Sequence, residues 1–180
     1  MGVKKTRRAE SSAAGVRSGQ GQPWLLVAAL ALTVCAAQAQ QQWRDPSGHY
    51  SAPKPGQPLC TLKIHVTGFR NQKGQAGGAV YASPAGWPEN TKDALVYGGF
   101  AIVGNHATEV YEIPPGRYGV VVIDDENRNH KLDRNFLGIP TEGFGFANNP
   151  HVLLMAPSFQ KASVNVGCPV TEIEIHLIYK

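Results

Sequence analysis

Pro114-Pro115-Gly116-Arg117-Tyr118-Gly119-Val120-Val121-Val122-Ile123-Asp124-Asp125 decides the fold class of this chain. Its first three residues are a sharp turn signal, because proline fixes φ and glycine permits the left-handed position. The run that follows puts Tyr118, Val120 and Val122 on one face and Gly119, Val121 and Ile123 on the other. Both faces are mostly apolar, as for a central strand buried twice. The apolar run then stops at two carboxylates, where a long polar loop begins.

Other strand signals flank this one. Cys60, Leu62, Ile64 and Val66 alternate with Thr61, Lys63, His65 and Thr67 in a period of two. Residues 68–78 read as a polar, glycine-rich turn and residues 79–82 as a short second strand. Residues 95–103 suggest a third strand broken at Gly98-Gly99 by a bulge, and residues 108–113 a fourth. Residues 84–93 form a loop whose Trp87-Pro88 reads as a packed cover. Beyond the long loop, residues 162–166 and 170–179 supply the last strands. In the final one Ile173, Ile175, Leu177 and Tyr179 face inward while Glu172, Glu174 and His176 face solvent. Helix signals are missing throughout. The expected fold is all-β: a single antiparallel β-sandwich of about seven strands with one long ordered loop, spanning residues 59–180.

The preceding residues read as targeting and tether. Lys4, Lys5, Arg7, Arg8 and Arg17 precede the apolar run from Trp24 to Val34, and Ala37-Gln38-Ala39 supplies a small-x-small cleavage site. Residues 1–39 are therefore expected to be a signal peptide. The apolar run falls short of the about 20 residues a membrane span needs. Arg7-Arg8 lacks the apolar residues that a twin-arginine signal carries next to it. Leu32-Thr33-Val34-Cys35 resembles a lipoprotein box, but Val34 is a poor residue before a lipidated cysteine. Residues 40–58, rich in Gln, Pro, Ser and Gly, read as a flexible linker. The expected location is secreted or periplasmic, with no membrane span in the mature protein.

Charge follows the same division. The chain holds 17 basic and 13 acidic residues. Removing the five basic residues and Glu10 of the leader leaves twelve of each, so the mature protein is near neutral and nothing in it points to nucleic acid. Cys35 leaves with the leader, and the remaining Cys60 and Cys168 are expected to form a disulfide in an oxidising compartment.

The long loop, from Asp124 to Gly143, carries the candidate chemistry. Counting Asp125 as position 1, Asn127 and Asn129 fall at 3 and 5, Lys131 offers its carbonyl at 7 and Asp133 falls at 9. That is the oxygen spacing of an EF-hand-like calcium loop. It departs at position 6, where His130 stands for glycine, and at position 12, where Phe136 stands for a bidentate acid. Glu142 can replace that acid if the loop folds back through Gly138 and Pro140. The candidate calcium ligands are Asp125, Asn127, Asn129, Lys131, Asp133 and Glu142. A self-sufficient loop fits equally well, with Asp and Asn side chains bonding nearby backbone amides. Asp125 and Glu142 also allow an acid/base couple. The six histidines show no paired metal-ligand spacing. Gly143-Phe144-Gly145-Phe146-Ala147-Asn148-Asn149-Pro150 reads as a small satellite core, or alternatively as a stacking platform for a sugar or peptide.

The Pro-Pro-Gly-x-Tyr turn feeding an apolar strand resembles the transthyretin-like and carboxypeptidase-regulatory-like sandwiches, an analogy of fold that carries no activity. A closer resemblance spans nearly the whole domain. Residues 114–118, the run from Asp124 to Asp133, and the run from Gly138 to Asn149 are similar to the bacterial exported family called domain of unknown function 2141. Asp124 stands where that family usually carries His, and Ala147 where it usually carries Ser. The resemblance implies an exported sandwich. Together these readings predict a non-catalytic module with a calcium-ordered loop that binds an envelope or extracellular partner. A hydrolase using the loop carboxylates and a purely structural envelope domain are the alternatives. No feature of the sequence gives the oligomeric state.

Overall fold

The computed structural model describes Lys54, residues 56–153 and residues 155–180. The expected signal peptide lies outside the described residues, as does most of the linker expected at 40–58. Eight strands follow in order: β1 (Cys60–Thr67), β2 (Gln75–Tyr81), β3 (Val96–Phe100), β4 (His106–Ile113), β5 (Gly116–Asp125), β6 (Phe144–Phe146), β7 (Ser163–Val166) and β8 (Val170–His176). They form two sheets, one ordered β4-β1-β8 and the other β3-β2-β5-β6, with β7 also pairing with β5. Among the described residues no helix is long and apolar enough to cross a membrane.

Alternation places the core between the sheets. On β1, Cys60, Leu62, Ile64 and Val66 are all buried, and on β5 the same inner face carries Tyr118, Val120 and Val122. β5 is buried on its other face as well. There Val121 joins Ala79, Tyr81, Phe144, Phe146, Val152 and Phe159 in a second apolar cluster. Loop residues cover this outer cluster. Trp87 packs against Tyr81, Phe146 and Phe159, and its indole N–H donates to the Pro157 carbonyl at 2.9 Å. The Trp87 loop is thus the cover its sequence suggests, and the Gly-Phe-Gly-Phe run is the satellite core.

Several details depart from the sequence expectations. β2 starts at Gln75, within the stretch expected to be a turn, because two glycines add no bulk where β2 lies between β3 and β5. Gly98 and Gly99 pair in regular register with Gly78 and Gly77, so β3 has no bulge there. β5 runs on through Asp124 and Asp125 instead of ending before them. The Phe144–Phe146 segment adds a strand that its brevity conceals. β1 and β8 pair in parallel, which sequence alternation alone cannot distinguish from antiparallel pairing.

The Cys60–Cys168 disulfide is present, with the two Cα atoms 4.7 Å apart. It joins the start of β1 to the approach to β8. The sheets also meet at a corner where Phe144 and Ile178 exchange two backbone hydrogen bonds. The Phe144–Ile178 link fixes the end of the chain beside the long loop, whereas the disulfide ties the opposite end of the sandwich.

Candidate functional site

The loop leaves β5 at Asp125, whose carboxylate is wholly buried. One of its oxygens, Oδ1, accepts the Asn129 N–H at 2.9 Å, and Oδ2 accepts the His130 N–H and a Gln75 amide N–H, both at 3.0 Å. Gln75 stands directly across the β2–β5 ladder from Asp125. Three donors on one buried carboxylate form a charge-assisted anchor that folds the loop back over its own strand.

Glu142 fastens the far side. Although it lies next to the end of the loop, its Oε1 accepts the Glu126 N–H at 2.9 Å and its Oε2 accepts the Asp133 N–H at 3.0 Å. The residue expected to fold back through Gly138 and Pro140 does so. Burial raises its carboxyl pKa, and the two backbone donors oppose that shift. Asp133 is the hub between these two anchors. Its Oδ2 accepts from the Asn127 amide at 2.7 Å, and its Oδ1 accepts from the Asn129 amide at 2.8 Å. The amide oxygens of Asn127 and Asn129 in turn accept the N–H groups of Asn129 and Lys131.

The expected nest therefore converges: Asp125, Asn127, Asn129, Asp133 and Glu142 lie in one hydrogen-bonded network. Lys131 joins it through its backbone N–H while its side chain is exposed. The network is satisfied by amide donors, in the manner of linked Asx-turns. Among the described residues no three His, Cys, Asp or Glu side chains cluster as a metal site. Arg128 turns away to the Gly74 carbonyl, and Arg134 reaches the Gly138 carbonyl and Glu89. Phe136, at the position where a calcium loop carries an acid, is 96% exposed. His130, where such a loop carries glycine, has φ 62°.

A second layer lies beneath the loop. Asp124 faces the inner core and is fully buried; its Oδ2 accepts the Tyr179 hydroxyl at 2.7 Å, while its Oδ1 has no partner among the described residues. Desolvation pushes its carboxyl pKa up, and the Tyr179 hydrogen bond works in the other direction. Arg70 stacks 4.8 Å from the Tyr179 ring centre and pairs with Glu126 at 2.6 Å. That pairing holds the Glu126 carboxyl below its usual pKa. Gly143 makes this layer possible, since a Cβ there would lie 2.5 Å from the Tyr179 ring. The sequence singled out neither Arg70 nor Gln75. Both act from turns or strands far from the loop in sequence, so spacing within the loop could not reveal them.

Beside the loop opens a cleft of about 860 Å³ on the outer face of the larger sheet. Its floor includes Ala79, Val121, Ile123, Phe144 and Phe146, and its walls come from the long loop and from Val152, Leu153, Met155 and Ala156. Leu137, Ile139, Leu153 and Met155 line it while remaining 43% to 83% exposed. Isolated exposed apolar side chains are ordinary, whereas here four of them gather around one concavity. The sequence reading missed this cleft because its walls are contributed by two loops.

A family model described as an uncharacterized protein conserved in bacteria, domain of unknown function 2141, matches residues 64–174. That interval includes the loop, the carboxylate anchors and the sheet beneath the cleft. No curated protein and no solved structure matches the chain.

Proposed function

This chain belongs to the bacterial family of domain of unknown function 2141, and from that premise we propose that it is an exported, non-catalytic binding module. Its long loop serves as a rigid wall, and its partner is an envelope or extracellular molecule held in the apolar cleft. The observation that carries this reading is the cleft itself, with exposed Leu137, Leu153 and Met155 gathered at one opening beside an internally bonded loop. The chemistry of the carboxylates supports the same reading. Asp125 and Glu142 both accept backbone N–H groups of the loop, which fits a scaffold better than an acid/base couple.

A polarity-sensitive apolar fluorophore tests the proposal. It is expected to bind saturably to the native protein and to be lost from Leu137→Glu and Met155→Glu variants with unchanged melting. Unsaturable binding, or binding indifferent to both substitutions, would reject the cleft as the site. Turnover in a hydrolase substrate screen, abolished by Glu142→Gln with the fold intact, would replace binding by catalysis.

Calcium ordering of the loop is the second reading, favoured by the left-handed backbone of His130 at the position where calcium loops carry glycine. Turning the Asn127 and Asn129 amides would place their oxygens beside Asp133, an arrangement that a cation between them would stabilise. A site of millimolar affinity gains only about 0.4 kcal/mol in millimolar calcium, and one ten times tighter about 1.4 kcal/mol. Melting with calcium and with chelator, on the wild type and Asp125→Ala, is the measurement. Identical midpoints with calcium and with chelator at saturating concentrations would dismiss the ion.

A further inference from the structure

Resting on the reading of the cleft as a binding site, we infer that its occupant is a free long-chain fatty acid. Two observations converge on that chemistry. The first is shape and polarity: a concavity within the usual size range of small-molecule sites, floored by β2, β5 and β6 side chains and walled by exposed Leu137, Ile139, Leu153 and Met155. A flexible hydrocarbon chain would remove those side chains from water without requiring hydrogen bonds from the floor.

The second observation is charge. The basic side chains lining the cleft are Lys131, Arg134, Lys180 and His130, against the single carboxylate side chain of Glu89 among the described residues. Glu89 is paired with Arg134 at 2.7 Å, and the Lys180 ammonium donates to the Val152 carbonyl at 2.7 Å. The Lys131 ammonium makes no hydrogen bond or ion pair among the described residues, although its backbone is held by Asn129. Lys131 is thus a cation with neither a hydrogen-bond nor an ion-pair partner among the described residues, and at the edge of an apolar cleft it complements a monoanionic head on an apolar tail. A neutral lipid would leave that cation without a counter-charge. The loop network thereby acquires a purpose beyond its own stability, since Asp125, Asn129 and Asp133 fix the backbone that presents Lys131.

The test compares palmitate with hexadecanol, which shares the chain and lacks the charge, by titration into the full-length protein. Palmitate is expected to bind saturably and at least about fivefold more tightly than the alcohol at low salt. Lys131→Glu should reduce palmitate binding to the level of the alcohol and leave alcohol binding unchanged. Met155→Glu should weaken both. Because Lys131 and Met155 are exposed, their melting midpoints should match the wild type and exclude misfolding as the cause. Equal affinities for the two ligands, or palmitate binding unaffected by Lys131→Glu, would overturn the fatty-acid inference while leaving an apolar binding cleft. Failure of both ligands together with failure of the fluorophore would bring down the cleft reading itself. Sedimentation with phosphatidylglycerol vesicles, without saturable uptake of free palmitate, would assign the apolar patch to a lipid surface and overturn the inference.

Discussion

The Tyr179 hydroxyl donates to Asp124 Oδ2 at 2.7 Å, tying the segment after β8 to the last inward-facing residue of β5. This contact crosses the sandwich at the base of the long loop. It is also the only hydrogen bond that the buried Asp124 side chain makes among the described residues.

Tyr179→Phe should cost about 1–2 kcal/mol in urea unfolding, because it leaves a second Asp124 oxygen without a partner. Asp124→Asn should be neutral or stabilising at pH 7. The Asp124 pKa is raised in the fold, chiefly by desolvation. Its contribution to stability is therefore fully present below the unfolded pKa, near 4, and is lost as pH rises through the folded value. Stability profiles of wild type and Asp124→Asn should converge at low pH and separate as pH rises. Parallel profiles would show that Asp124 is not the titrating group.

Asp125→Ala removes the acceptor for two loop N–H groups and the Gln75 amide. The expected loss is about 2–4 kcal/mol, with faster hydrogen exchange at Asn129 and His130. Unchanged exchange at those two amides would mean that the carboxylate does not anchor the loop.

His130→Gly should stabilise the protein by up to about 1 kcal/mol, since a left-handed backbone is strained for a residue with a Cβ. Removal of the Nδ1 contact with the Gln75 amide, at 3.3 Å, offsets only part of that gain. Thermal unfolding at one pH measures it, and a clear loss of stability would assign the imidazole a larger role than its backbone strain.

Glu109 introduces a second pH dependence. It lies on the inner side of β4, in register with the buried Ile64 of β1, and partial burial raises its pKa to about 7. Stability linked to this group is complete below the unfolded pKa of about 4.5 and declines as pH rises through 7. Glu109→Gln should remove a loss on the order of 1–2 kcal/mol between pH 5 and 8, after allowing for the residue's partial contact with water. Chemical denaturation across that range checks the slope.

Cys60→Ser with Cys168→Ser should lower stability by about 2–4 kcal/mol, because the cross-link restrains a long loop of the unfolded chain. Equal stability of oxidised and reduced wild type would show that the bond is structurally idle.

The linear chain already carried the strands whose alternation runs long enough to be read, above all β1, β5 and the inward face of Ile173, Ile175 and Leu177. It also determined the cysteine pair and the place of the Asp/Asn loop. Those properties follow from local spacing, since a period of two or a turn residue acts over a few neighbours. The three-dimensional assembly is what makes β1 and β8 run parallel, joins Phe144–Phe146 to the larger sheet, and lets Gln75 and Tyr179 complete the carboxylate anchors. It alone brought Leu137 and Met155 to one cleft. Each depends on segments far apart in the chain becoming neighbours, and loop closure, burial and hydrogen-bond satisfaction select those neighbours only when the whole sandwich is assembled.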